Sequence, residues 1–157
     1  MSSQLLNATE IRDLAKKINL KPTKKLGQNF VIDQNTVEKI VKTAQIDKSS
    51  NVIEIGPGLG SLTLALLQTG AKVTAIEIDE KLAKLLPQTA KNKGLNEQNL
   101  KVINKDALKI KNSEVDSSVN VLVANLPYNV SVPVILHFLE VFPNIKKYLV
   151  MVQSEVA

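Results

Sequence analysis

Asn51-Val-Ile-Glu-Ile-Gly-Pro-Gly-Leu-Gly-Ser61 decides the fold. Its apolar run, Val52, Ile53 and Ile55, passes straight into a turn carrying Gly56, Gly58 and Gly60, and Leu59, Leu62, Leu64, Ala65, Leu66 and Leu67 then fill an apolar helix. A short run that is apolar on both faces is a strand of a parallel sheet covered by helices on either side. Glycines at the crossover let the backbone turn sharply and come close to a ligand at the mouth of the sheet, where open α/β folds bind small molecules. The unit reads as strand, tight turn and helix, and a nucleotide-like cofactor is its natural guest.

Spacing narrows the choice of nucleotide. A dinucleotide fingerprint runs G-x-G-x-x-G, so that a helix N-terminus receives a pyrophosphate; here Ser61 stands at the third glycine's place. The glycines fall instead at alternate positions, a spacing that resembles the adenosylmethionine loop of class I methyltransferases. Lys72-Val-Thr-Ala-Ile-Glu-Ile-Asp79 reads as the next strand, ending at Asp79, and places Glu77 where a carboxylate can accept from both hydroxyls of a ribose. The plain alternative keeps the three glycines as ordinary turn residues. Strand, glycine turn, helix, strand and terminal acid in one run favour the nucleotide site.

Upstream, Leu5, Leu6, Ile11, Leu14, Ala15 and Ile18 recur at helical spacing, which predicts a helix beginning near Asn7 or Thr9 and broken by Pro22. Lys24-Lys-Leu-Gly-Gln-Asn-Phe-Val31 reads as a basic functional loop, with Gln28 and Asn29 offering amides beside Phe30. Asp33 or Asn35 then caps a helix running to about Gln45. Downstream, the spacing predicts a helix over 80–91 and a third strand from Leu100 that ends in Asp106. A fourth, very apolar strand starts at Val119 and ends in Asn125-Leu-Pro-Tyr128. A helix over 132–142 and a fifth strand from Lys147 to Gln153 complete the chain. Strands alternating with helices make a doubly wound parallel sheet with right-handed crossovers.

The 157 residues, 44% of them hydrophobic, form one domain with a substantial core. Cysteine is absent and His137 is the single histidine, which leaves no thiolate or zinc centre and points to metal-free chemistry. The N-terminus carries no basic leader, and no stretch reaches membrane-spanning length, so a cytoplasmic protein is expected. The formal charge of +5 favours an anionic partner. Arg12, Lys16, Lys17, Lys21, Lys24 and Lys25 cluster ahead of the sheet as a phosphate-contacting surface would, although a solvated helix face is the bland alternative.

The carboxyl ends of the strands collect Gly56, Gly58 and Gly60, Glu77 and Asp79, Asp106, and Asn125 to Tyr128 on one crevice. Glu77 can hold a ribose and Asp106 can accept from the amino group of a purine, which together make an adenosine pocket. The side chain of Asn125 and a nearby carbonyl can accept both hydrogens of an exocyclic amine. Tyr128 offers a stacking face, and Pro127 holds the backbone in place before the substrate arrives. Positioning supplies the rate, with no covalent intermediate.

Lys25-Leu-Gly-Gln-Asn-Phe-Val31, Ile53 to Gly60, Ala75-Ile-Glu-Ile-Asp79, Lys105-Asp-Ala107 and Asn125-Leu-Pro-Tyr-Asn-Val-Ser131 together resemble the small-subunit ribosomal RNA adenine N6,N6-dimethyltransferases, the kasugamycin-sensitivity methyltransferases. The resemblance implies a Rossmann-like class I methyltransferase with S-adenosyl-L-methionine as cofactor, an rRNA substrate in an immature 30S subunit, and dimethylation of two adjacent adenines near the 3′ end. It puts cofactor contacts on Asn29, Val31, Gly56, Gly58, Glu77, Asp106 and Asn125, and the catalytic motif on Asn125, Leu126, Pro127 and Tyr128. Residues 1–46 become N-terminal helices with a loop over the cofactor, and residues 47–157 the cofactor-binding core. The macrolide-resistance methyltransferases of the large subunit are the close alternative, but they commonly carry Ile where Leu126 stands. A non-catalytic RNA-binding assembly factor is the alternative from another class. Family members continue with further sheet strands and a helical domain, so this chain resembles a fragment. It is expected to form the cofactor site but to bind rRNA weakly, with methylation itself in question, and its open sheet edge suggests a dimer.

Overall fold

The computed structural model describes residues 4–19 and 33–153. Helix α1 (Ala8–Lys17) begins at Asn7, whose side chain accepts from the Glu10 N–H at 2.8 Å while the Glu10 carboxylate accepts from the Asn7 N–H at 3.4 Å. This reciprocal pair satisfies two donors that the first turn would otherwise leave open. Asp33 starts α2 (Gln34–Thr43) by accepting from the Thr36 N–H at 2.7 Å. The helix stops two residues short of the expected Gln45, which turns into left-handed backbone at φ 55°.

Five strands follow: β1 (Asn51–Ile55), β2 (Lys72–Glu77), β3 (Leu100–Asn104), β4 (Val121–Pro127) and β5 (Lys147–Gln153). They lie in the order β3-β2-β1-β4-β5 with every pairing parallel. The crossovers are α3 (Ser61–Gln68), α4 (Glu80–Asn92) and α5 (Tyr128–Val141), with short 3-10 turns and a loop between β3 and β4. The chain steps outward from β1 to β3, then returns to lay β4 on the other side of β1. That reversal is the switch point at which open α/β sheets bind ligands. Its register pairs Ile55 with Ala124, which brings Gly56 and Asn125 out side by side. At the opposite end of the same pair, the Asn51 N–H donates to the Asn120 side chain at 3.1 Å.

Alternate residues of each strand feed two cores. Val52, Val73, Val121 and Val123 pack with the leucines of α3, with Leu82 and Leu85 of α4, and with Ile11, Val37 and Ile40. Ile53, Ile55, Ile76, Leu122 and Ala124 face Val134, Phe138, Phe142 and Ile110. α3 is buried from Ser61 to Leu67, as a helix apolar all round should be. α5 is equally apolar, yet Val132, Leu136 and Leu139 remain exposed along its outer face. His137 acts as a tie, its Nε2 lying 2.9 Å from the Ile110 carbonyl.

Other boundaries differ from expectation, among them the start of β4 at Val121 rather than Val119. β2 ends at Glu77 and not at Asp79, because the Asp79 carboxylate accepts from the Leu82 N–H at 3.0 Å and caps α4. β3 ends at Asn104, and Asp106 caps a 3-10 turn over Ala107–Lys109 through the Leu108 N–H, also at 3.0 Å. α5 starts four residues early, at Tyr128 rather than Val132, and so runs through Pro133. The proline costs one helical donor opposite Asn129, an exposed residue whose carbonyl water can satisfy.

Candidate active site

The glycine turn takes left-handed backbone at all three glycines, φ 70° at Gly56, 58° at Gly58 and 103° at Gly60. Space is also short: a Cβ on Gly56 would stand 3.0 Å from Leu126 Cδ2, and one on Gly60 only 2.6 Å from Leu86 Cδ1. Conformation and close approach both demand glycine at Gly60. Gly60 caps α3 with no side chain, so the first turn of that helix opens toward the crevice uncapped. Within that turn the Ser61 hydroxyl is buried without a partner among the described residues.

Glu77 clamps the turn. Its Oε1 accepts from the Gly58 N–H at 3.1 Å and its Oε2 from the Asp79 N–H at 2.9 Å. Burial pushes its carboxyl above the ordinary value, and the two backbone donors pull part of the way back. Each oxygen keeps a second lone pair for a ligand hydroxyl. Asn104 holds the next loop by donating to the carbonyls of Glu77 at 2.9 Å and Ile78 at 3.1 Å.

Three participants were not singled out from sequence. Glu54 lies in the middle of β1 and is 1% exposed; the Thr63 hydroxyl donates to it at 2.5 Å. Burial pushes its carboxyl up to about 8, and neighbouring Glu77 adds repulsion. An acid inside an apolar strand was the available signal. Ile78 and Leu108 are 66% and 43% exposed beyond the ends of β2 and β3, one on either side of Asp106 in chain order. They are flat apolar surfaces of the kind a purine ring can lie against. An aliphatic residue in a loop directly after a strand-end acid was the signal there.

At the end of β4, Asn125 Oδ1 is buried and accepts no hydrogen bond among the described residues. Leaving a buried amide oxygen unpaired is costly, so the position is built for a donor that arrives from outside. Leu126 lies against Gly56 and couples this motif to the glycine turn. Pro127 (φ −58°, ψ 149°) begins α5, and Tyr128, 63% exposed, is its first residue. The Ser131 hydroxyl donates to the Tyr128 carbonyl at 3.0 Å and fixes that turn. The structure thus joins Gly56, Gly58, Glu77, Asn125, Leu126 and Pro127 at the switch point. Asp106 and Tyr128 stand on the same end of the sheet. Asn29 and Val31 lie outside the described residues.

Residues 19–157 match the family model of ribosomal RNA adenine dimethylase. The chain is 58% identical over 157 residues to the ribosomal RNA small subunit methyltransferase A of Corynebacterium diphtheriae, covering 99% of this chain and 53% of that protein. It is 55% identical to the protein of the same description from Mycolicibacterium vanbaalenii, covering 100% and 51%. Among solved structures, a dimethyladenosine transferase from Plasmodium falciparum aligns with TM-score 0.66 and 35% identity over 78% of this chain and 42% of that one. The 23S rRNA methyltransferase ErmE aligns with TM-score 0.67 and 30% identity over 81% and 49%. The chain spans about half the length of the curated relatives it matches.

Proposed function

The chain belongs to the ribosomal RNA adenine dimethylase family, and from that premise we propose that it carries the methyl-transfer centre of an S-adenosylmethionine-dependent rRNA adenine N6-dimethyltransferase. In this reading it acts in the cytoplasm on two adjacent adenines near the 3′ end of small-subunit rRNA, within an immature 30S subunit. The observation that carries the proposal is the buried, unpartnered Asn125 Oδ1 beside the glycine turn.

The residues present fit the cofactor. Gly56, Gly58 and Gly60 hold the left-handed turn that exposes backbone to the crevice, and Glu77 offers free lone pairs beside the Gly58 amide. Glu77 would hold the ribose hydroxyls, Asp106 the amino group of the purine, and Ile78 and Leu108 its faces. When bound, S-adenosylmethionine supplies a methyl group on a cationic sulfur, activated without help from a metal.

Asn125 Oδ1 accepts one N–H of the target adenine's exocyclic amine and turns the nitrogen lone pair toward the cofactor side of the crevice. Pro127 holds that acceptor still, since its ring removes one backbone rotation next to the motif. Tyr128 presents an exposed ring on which the unstacked base lies. Catalysis is positional: the nitrogen's proton leaves after the new bond forms, so no strong base is required. Leu126, where the macrolide-resistance methyltransferases of the large subunit commonly carry Ile, favours the small-subunit reading over the large-subunit one. A dimer through the free edge of β5 is part of the same reading, and light scattering that returns a monomer at high concentration would remove it.

The decisive test is single-turnover methyl transfer to small-subunit rRNA by the wild-type chain and by Asn125→Ala, with adenosylmethionine binding measured in parallel. Loss of transfer with folding retained supports the reading; transfer by the variant at the wild-type rate refutes it.

A further inference from the structure

α1 and α4 run side by side along the sheet, and the two ends of their seam differ. At one end Lys93, which closes α4, pairs with Glu10 in the first turn of α1. At the other, Lys17, Ile18 and Asn19 from the end of α1 meet Lys81, Lys84, Leu85 and Gln88 of α4 around a groove of about 490 Å³. Positions 81, 84, 85 and 88 repeat at helical spacing and form one stripe of α4 facing α1. Ile18 and Leu85 floor the groove, and the three lysines line it together with the amides of Asn19 and Gln88.

Three lysines line this groove and no carboxylate does, among the described residues. Among the described residues Lys17 and Lys81 make no ion pair. Lys84 meets Glu80 at 2.8 Å, but both side chains are largely in water, where such a pair is easily exchanged. Lys81 sits in the first turn of α4, the helix capped by Asp79 next to the clamp residue Glu77, so the groove opens on the same end of the sheet as the site. Its cations are ammonium groups without the planar fork that reads a base edge; they suit phosphate oxygens as point charges. Among the described residues the groove is open, running along 81–88 of α4 past the C-terminal end of α1, an extended shape that suits a strand rather than a small anion.

We propose that the α1–α4 groove is a phosphodiester-binding site that seats the backbone of the substrate RNA beside the methyl-transfer centre, without reading its sequence. The proposal rests on the functional reading above for the presence of an RNA substrate, and it assigns Lys17, Lys81 and Lys84 a positioning role. Lys17 could instead serve only to complement the C-terminal dipole of α1. That role would appear in the melting temperature and leave RNA affinity alone.

The test measures binding of the 157-residue chain to a synthetic RNA hairpin with two adjacent adenines in its loop, from about 50 to about 200 mM salt, the range over which phosphate contacts dominate the salt dependence. Variants are Lys17→Gln with Lys81→Gln and Lys84→Gln, each single change, and a control triple of Lys48→Gln, Lys72→Gln and Lys146→Gln at the amino end of the sheet. The groove triple is expected to weaken RNA binding about tenfold and to lower the slope of log K against log salt by about 2 to 3, close to one per phosphate lost. Adenosylmethionine affinity and the melt should stay at wild-type values, and the control triple should shift the slope less than half as much. Equal shifts in the two triples, or an unchanged slope in folded single variants, would overturn the groove. A wild-type chain that binds adenosylmethionine but shows no salt-dependent RNA binding also overturns it, whereas failure to bind adenosylmethionine sinks the functional reading separately.

Discussion

The two halves of the crevice are built on opposite plans. On the β1–β2 side, Gly58, Glu77 and Asp79 satisfy one another, and Glu54 and Thr63 do the same beneath them. On the β4 side, Asn125 Oδ1 has no partner, Tyr128 projects into solvent, and the outer face of α5 is bare. Apart from the Ser61 hydroxyl, the first half is largely satisfied by the chain's own groups, whereas the second leaves the Asn125 oxygen to whatever arrives. A preformed pocket, which each fresh cofactor molecule would enter as the spent one leaves, suits the closed half. A base that must enter, react and leave suits the open one.

The largest effect tests the open half. Asn125→Ala removes no hydrogen bond from the folded chain, so its melting temperature should stay within about a degree, while methyl transfer falls about a hundredfold, near 3 kcal/mol of lost transition-state stabilisation. A marked drop in the melt would show that Asn125 is structural and the contrast false. Next comes the closed half: Glu77→Ala strips the acceptor from two backbone donors, and calorimetric titration should show adenosylmethionine binding weakened by about 2 kcal/mol, roughly thirtyfold. Unchanged affinity would mean that the clamp serves only the fold.

Gly60→Ala and Gly94→Ala sharpen the comparison further. Both glycines are left-handed, at 103° and 72°, but a Cβ meets Leu86 at the first and nothing within 4 Å at the second. Denaturant unfolding should therefore cost about 2 kcal/mol for Gly60→Ala and about 1 kcal/mol for Gly94→Ala. Equal losses would remove the close-packing argument for the turn.

The smallest effect is a slope. Glu54 has its carboxyl raised from 4.5 to about 8, chiefly by burial. The folded state favours the protonated form, so the stability linked to it is fully present below pH 4.5 and is lost as pH rises through about 8. The upward shift of Glu77 acts with the same sign. Glu54→Gln keeps the acceptor for Thr63 and cannot ionise, so unfolding followed across this range should be flatter for the variant. Parallel wild-type and variant curves would place the charge elsewhere.

Patterns of period and turn made the strands, their parallel order and the strand-end residues legible, because Val52 to Gly60 and Val121 to Pro127 carry their signals locally. Asp79 and Asp106 were legible as strand-end acids but not as helix caps, since a carboxylate after a strand serves either purpose until the next N–H is placed. The early start of α5 was hidden by Pro133, which reads as a first-turn residue although the Ser131 hydroxyl and a solvated carbonyl let the helix begin at Tyr128. Glu54, Ile78 and Leu108 each left a local signal in the sequence, but the burial of the first and the exposure of the other two come only from the packed sheet. Nor could spacing show the α1–α4 groove, since it joins lysines far apart in the chain.

The hydrogen bond from Gly58 to Glu77 closes a loop of 19 residues, while the one that registers β4 on β1, between Asn51 and Asn120, spans 69. Loop-closure entropy grows with the logarithm of length, so the longer closure costs about 1 kcal/mol more, and distant pairings come late in a folding search. The clamp is thus the early, local product of folding, and the acceptor is docked onto a turn already in place. During synthesis the chain emerges N-terminus first. The residues of the Gly58–Glu77 clamp are therefore translated before Asn125 is.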